Sequence, residues 1–174
     1  MELIAALDGI VRRTPHSTIT LRNAHLGASG GVALSEALRT AMPDMLATVD
    51  LYGCDISITG ADAVAHALVD RGGCTALDLG ANTLDDRFGA SLAPLLWERL
   101  PMEDSAQAVK EPAGLRELRL ARNRLGGQAC TAMFTLPPTA PDHAQLLLTS
   151  LALSFNPLGA AGGAAIGRVL AADR

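Results

Sequence analysis

Aromatic residues are nearly absent: Tyr52, Phe88, Trp97, Phe134 and Phe155 are the five in 174 residues. A core organised around large rings is thereby excluded. The apolar content (49% of the chain) must instead pack as thin, repeated layers of Leu, Ala, Val and Ile. A basic surface is missing too. The net charge of −4 argues against nucleic acid as a partner, because such binding needs a positive face. Lysine is reduced to Lys110 against thirteen arginines, which together with the Ala and Gly richness reads as codon bias. No run of ~18 apolar residues exists to span a bilayer, and Met1 to Ala6 carries Glu2 without a basic stretch, unlike a signal peptide. Cys54, Cys74 and Cys130 are odd in number and lack disulfide-framework or zinc spacing, so they read as small buried residues of a reducing compartment. The expected location is cytoplasmic.

What the sequence does contain is a repeat. The pattern L-x-x-L-x-L-x-x-N-x-L-G is complete at Leu115, Leu118, Leu120, Asn123, Leu125 and Gly126, and again at Leu148, Leu151, Leu153, Asn156, Leu158 and Gly159. A third copy has Cys74, Leu77, Leu79, Asn82 and Leu84, with Asp85 replacing the glycine. A fourth has Leu46, Val49, Leu51, Cys54 and Ile56, and the weakest has His16, Ile19, Leu21, Ala24, Leu26 and Gly27. Each copy then switches to helical spacing: Leu34 and Leu38, Val64 and Leu68, Leu92 and Leu96, Ile166 and Leu170. Gly30, Gly60, Gly89 and Gly162 mark the expected helix starts.

These residues resemble the ribonuclease-inhibitor type of leucine-rich repeat, over almost the whole chain. The resemblance implies an α/β fold: a single right-handed solenoid domain over 1–174, a short arc with its parallel sheet concave and its helices convex. The L-x-L pair makes a strand with leucines inward and the intervening residues outward. A buried Asn amide can donate to carbonyls that the following turn leaves without partners. Cys54 is a usual substitute there in this family, whereas Ala24 offers no donor and is expected to weaken the first turn. Strands stack ~4.8 Å apart and helices ~8–10 Å, so the stack must curve.

Repeats starting near 16, 46, 74, 115 and 148 leave a long third interval, with an insertion at 97–114. Pro137, Pro138 and Pro141 are expected to cut the fourth helix short. Residues 1–15 read as the helical half of a preceding repeat. The last helix has no polar cap after it, which points to self-association through the terminal repeats, a partner at that end or marginal stability, with simple fraying as the alternative.

The concave face is expected to present Thr18, Thr20 and Arg22, then Thr48, Asp50 and Tyr52, then Ala76, Asp78 and Gly80. Glu117, Arg119 and Arg122 follow, then Ser150, Ala152 and Ser154, with Phe155 at the rim. Its middle row would place Asp50 beside Asp78, a like-charge pair that Arg119 could partly neutralise. Open exposure and the lack of a histidine in that row argue against acid–base catalysis, and two carboxylates are too few for a hard cation. His16, His25, His66 and His143 are scattered without a nucleophile at a recognisable spacing, and His66 is expected to pair with Asp62 on a helix surface. Neither enzyme nor cofactor is expected.

The expected function is a protein-interaction scaffold that binds a protein partner through the concave sheet face, through the strand-entry loops at 97–114 and 135–143, or through both. The candidate contact residues are Arg22, Asp50, Tyr52, Asp78, Arg119, Arg122, Phe155 and Trp97, although Trp97 could instead pack its own insertion. Relatives of this repeat type imply alternatives: a regulator of a small GTPase, an actin-filament protein, or a structural subunit of a cytoskeletal or flagellar assembly.

Overall fold

The computed structural model describes residues 18–41, 46–97, 114–138 and 144–172. The half-repeat expected at 1–15, His16, His143 and nearly all of the 97–114 insertion lie outside them. Five short strands, β1 (Thr18–Thr20), β2 (Thr48–Asp50), β3 (Ala76–Asp78), β4 (Glu117–Arg119) and β5 (Ser150–Ala152), form one parallel sheet in chain order. Each is followed by a helix: α1 (Gly27–Ala41), α2 (Ile58–Arg71), α3 (Gly89–Leu96), α4 (Gly127–Met133) and α5 (Gly159–Ala172). The helices pack on one another in the same order. Pro94, inside α3, cannot donate to a preceding carbonyl, and α4 ends before Pro137 and Pro138.

The register aligns Ile19, Val49, Leu77, Leu118 and Leu151 as one inward row. A slip of one residue would turn that whole row to the solvent face, so the leucine pattern itself fixes the pairing. The ladder runs on past the strands, as Leu51 N–H donates to Asp78 O at 2.8 Å and Leu120 N–H to Ala152 O at 2.8 Å. Then the chain turns. Asn23, Gly53, Ala81, Arg122 and Phe155 all adopt left-handed backbone, with φ between 56° and 66°.

In the third, fourth and fifth repeats the asparagine that follows closes the turn. Asn82 donates its amide to Leu51 O at 2.8 Å in the preceding repeat and to Leu79 O at 3.0 Å in its own. Asn123 treats Leu79 O and Leu120 O the same way, both at 2.9 Å, and Asn156 bonds Leu120 O at 2.8 Å and Leu153 O at 2.9 Å. Each amide thus satisfies one carbonyl per repeat on either side of a repeat boundary. The first turn is better supported than Ala24 suggests: the Cys54 thiol reaches back to Leu21 O at 2.8 Å, and Ala24 N–H donates to the same oxygen at 3.1 Å.

Helix contacts also cross repeat boundaries. A Cβ on Gly31 would lie 2.5 Å from Gly60 Cα, so α1 and α2 meet backbone to backbone. No side chain of its own caps α4; instead Asp86 accepts from Gly126 N–H at 2.5 Å and Ala129 N–H at 3.1 Å. Asp62 on α2 accepts from the Ser91 hydroxyl on α3 at 2.6 Å. His66 therefore does not pair with the Asp62 carboxylate as expected; its ring bonds the Asp62 carbonyl at 2.7 Å.

Burial falls off along the array. Leu115, Leu118, Leu120 and Leu125 are completely buried, whereas their counterparts Leu148, Leu151, Leu153 and Leu158 are only half-buried. Leu170 is 67% exposed, as no further helix packs on α5 among the described residues.

All three cysteines are buried and reduced. Burial pushes the Cys74 thiol up to about 12, and desolvation likewise raises Cys54 and Cys130. A raised value means less thiolate at neutral pH, and thiolate is the reactive form. A thiol-reactive disulfide reagent is expected to leave the native protein nearly untouched at pH 7.5 and to titrate all three thiols in denaturant. Fast labelling of Cys74 in the native protein would contradict this burial.

Candidate protein-binding face

On the concave side of the sheet, Thr20, Asp50, Asp78, Arg119 and Ala152 lie in register as the middle row. Asp50 and Asp78 are neighbours there. Each folds one oxygen onto its own turn, Asp50 accepting from Tyr52 N–H at 3.1 Å and Asp78 from Gly80 N–H at 2.9 Å. The other oxygens face a shared cation. That cation is Arg22, 2.9 Å from Asp50 Oδ2 and 3.8 Å from Asp78 Oδ2.

Arg119 is the Cα partner of Asp78, but its guanidinium turns to Glu117 at 3.1 Å. The neutralising role expected of Arg119 therefore belongs to Arg22. A side chain this long takes the nearest carboxylate on its own strand, while Arg22 reaches over two strands. Its hydrogen bond to Asp50 outweighs desolvation and raises the Arg22 guanidinium above its ordinary value.

Arg22 also lies over the Tyr52 ring, 4.5 Å from its centroid, a cation–π contact that orients both groups. The ring in turn covers Gly80, where a Cβ would come within 2.8 Å of Tyr52 Cδ2. Glycine at that outward place leaves room for the ring to lie across the sheet. Arg22, Asp50, Tyr52 and Asp78 are thus brought together as one ordered cluster.

Arg122 is not on the outward-facing row. Ala121 holds the place equivalent to Tyr52, and Arg122 is one residue further on, at the left-handed turn residue. There it lies over the Phe155 ring at 4.7 Å, and Phe155 is itself 74% exposed. Trp97 is apart from both groups. It follows α3, bridges to Leu146 and packs half-buried against the core.

The arginine–ring stacks, the Asp86 cap and the Asp62–Ser91 bond went unread in the sequence. Only the stacks left a signal: Arg22 and Tyr52 are 30 residues apart and Arg122 and Phe155 are 33, both repeat lengths. Among the described residues no three His, Cys, Asp or Glu side chains converge as metal ligands, and no helix is long and apolar enough to cross a membrane.

One parallel sheet backed by a helix per strand, with an amide or thiol closing each turn, is an α/β leucine-rich-repeat solenoid. A leucine-rich-repeat family model matches residues 146–167, the repeat that begins just before β5. Among solved structures, leiomodin-1 actin-binding site 2 is similar in fold: the match covers 98% of this chain and 86% of that one, at 13% sequence identity and a TM-score of 0.53. No curated protein sequence matches the chain.

Proposed function

We propose that this chain is a non-enzymatic, cytoplasmic scaffold of the ribonuclease-inhibitor type that holds a protein partner on its concave face. The observation that carries this reading is the placement of two preformed arginine–aromatic stacks and two carboxylates beside one open sheet surface. Aromatic and arginine side chains held in place lose little entropy on contact and dominate binding energy at interfaces. Partner capture from the source cell tests it. A variant with Asp50→Asn, Asp78→Asn and Arg119→Gln keeps the side-chain oxygens that close the turns while removing the charges. It is expected to retain its fold by circular dichroism and to lose at least about tenfold in affinity for the captured partner. Undiminished capture would move the interface to the strand-entry loops at 97–114 and 135–143. Self-association through the half-buried last repeat belongs to the same proposal, and light scattering of the purified chain would reveal it.

A second reading is an actin-binding role. It is favoured by the likeness to leiomodin-1 actin-binding site 2 along nearly the whole chain. Co-sedimentation with filaments and a gel-shift with monomeric actin separate it from the general scaffold, since absence of binding to both removes it.

A further inference from the structure

Two arginine-on-ring stacks occur at comparable places in the array. Arg22 and Tyr52 share one place in the first and second repeats; Arg122 and Phe155 share the next place along in the fourth and fifth. In both, the guanidinium of one repeat lies over the ring of the following one, at 4.5 and 4.7 Å.

Their surroundings differ. Arg22 is completed by carboxylates from the next two repeats, Asp50 at 2.9 Å and Asp78 at 3.8 Å. Where the repeat after Arg122 would carry the counterpart of Asp50, Ala152 stands, and among the described residues no strand pairs with the far edge of β5. Among the described residues Arg122 has no ion pair and no side-chain hydrogen bond, only the Phe155 ring. Phe155 in turn keeps most of its bulk in water, held out by the left-handed turn that every repeat shares.

A guanidinium stacked on a ring is held flat, with its N–H edges pointing sideways, the geometry that takes a carboxylate in two parallel hydrogen bonds. We infer that the Arg122–Phe155 corner receives a carboxylate side chain from an acidic segment of a partner protein, completing around Arg122 what Asp50 and Asp78 complete around Arg22. An apolar side chain next to that carboxylate would cover the open part of the Phe155 ring. The inference rests on the scaffold reading of the concave face and adds the chemistry of the partner.

Nuclear magnetic resonance of the labelled full chain tests it, because weak binding is visible and Arg22 is a built-in control. The probe is a short Asp- and Glu-rich peptide with one leucine, compared with its Asn and Gln counterpart and with inorganic phosphate. The acidic peptide is expected to give saturable shifts at Arg122 Nε–H and the Phe155 ring protons, several times those at Arg22, whose charge already faces the carboxylates of Asp50 and Asp78. Arg122→Gln is expected to weaken binding at least tenfold, and Arg122→Lys several-fold, since lysine keeps the charge but not the plane. Equal shifts at Arg22 and Arg122, equal binding of the neutral peptide, or a stronger response to phosphate than to peptide would each overturn the inference. Failure of the scaffold reading has a different signature. If a captured partner is lost with Arg122→Gln while the acidic peptide does nothing, the scaffold stands and the acidic chemistry falls. If concave substitutions never affect capture, the scaffold reading on this face falls whatever the peptide does.

Discussion

Changing Asn123→Asp is expected to lower the unfolding free energy by about 3 kcal/mol. Asn123 is 6% exposed and uses all its polar capacity. Its amide donates to Leu79 O and Leu120 O, and its oxygen accepts from Asn82 N–H at 3.1 Å and Leu84 N–H at 2.9 Å. A carboxylate keeps the two acceptances and loses both donations. It also sets a negative charge against two buried carbonyl oxygens, and each buried group left unpaired costs about 1–3 kcal/mol. Acid should return part of the loss, because a protonated carboxyl regains one donor. The same change at the half-buried Asn156 is expected to cost about half as much, since water can serve its freed carbonyls. Urea denaturation of the three proteins at pH 7 and pH 4 measures this. A loss below about 1 kcal/mol for Asn123→Asp would mean that the amide ladder does not hold the repeats together.

Glycine-to-alanine changes are expected to act with opposite signs in different helices. On an open helix surface, alanine in place of glycine stabilises by about 0.5–1 kcal/mol, through a more restricted unfolded chain and better helix propensity. Gly163 and Gly167 of α5 have nothing within 4 Å of an added Cβ and are expected to show that gain. Gly31→Ala is expected to do the reverse, destabilising by about 2 kcal/mol or more. Its new Cβ would sit 2.5 Å from Gly60 Cα and 2.9 Å from Gly60 C, and backbone cannot rotate aside as a side-chain tip can. Relief requires prising α1 from α2, which breaks the packing of Ala33, Leu34 and Ala37 as well. Thermal melts of the three variants decide it. A stabilising Gly31→Ala would show that the two helices are not in backbone contact.

The fold was legible because its rules are local and recur. Leucine spacing fixed the inward row, and the asparagine spacing marked the turns whose carbonyls need a donor. The site was less legible, for reasons that lie in side-chain reach. Backbone register makes Asp78 and Arg119 neighbours, yet the ion pair is decided by where a flexible guanidinium finds its nearest carboxylate. Strand alternation does not extend to Arg122, because the left-handed turn begins at that residue. Ala24 looked like a defect only when its repeat was read alone, since Cys54 serves it from the next one. Asp86 was unreadable for the same reason: it caps a helix about 40 residues later in the chain.

The thinning of the core toward β5 bears on binding itself. Leu151, Leu153 and Leu158 are half-buried, so their repeat is the one held least firmly by its neighbours. Phe155 belongs to that repeat and Arg122 to the one before it. A ligand gripping both would clamp the weakest joint of the array, so that occupancy and local melting draw on the same free energy. Saturating such a ligand would slow amide exchange most in residues 148–172, including those it never touches. The loosest repeat would then be the one that reports occupancy.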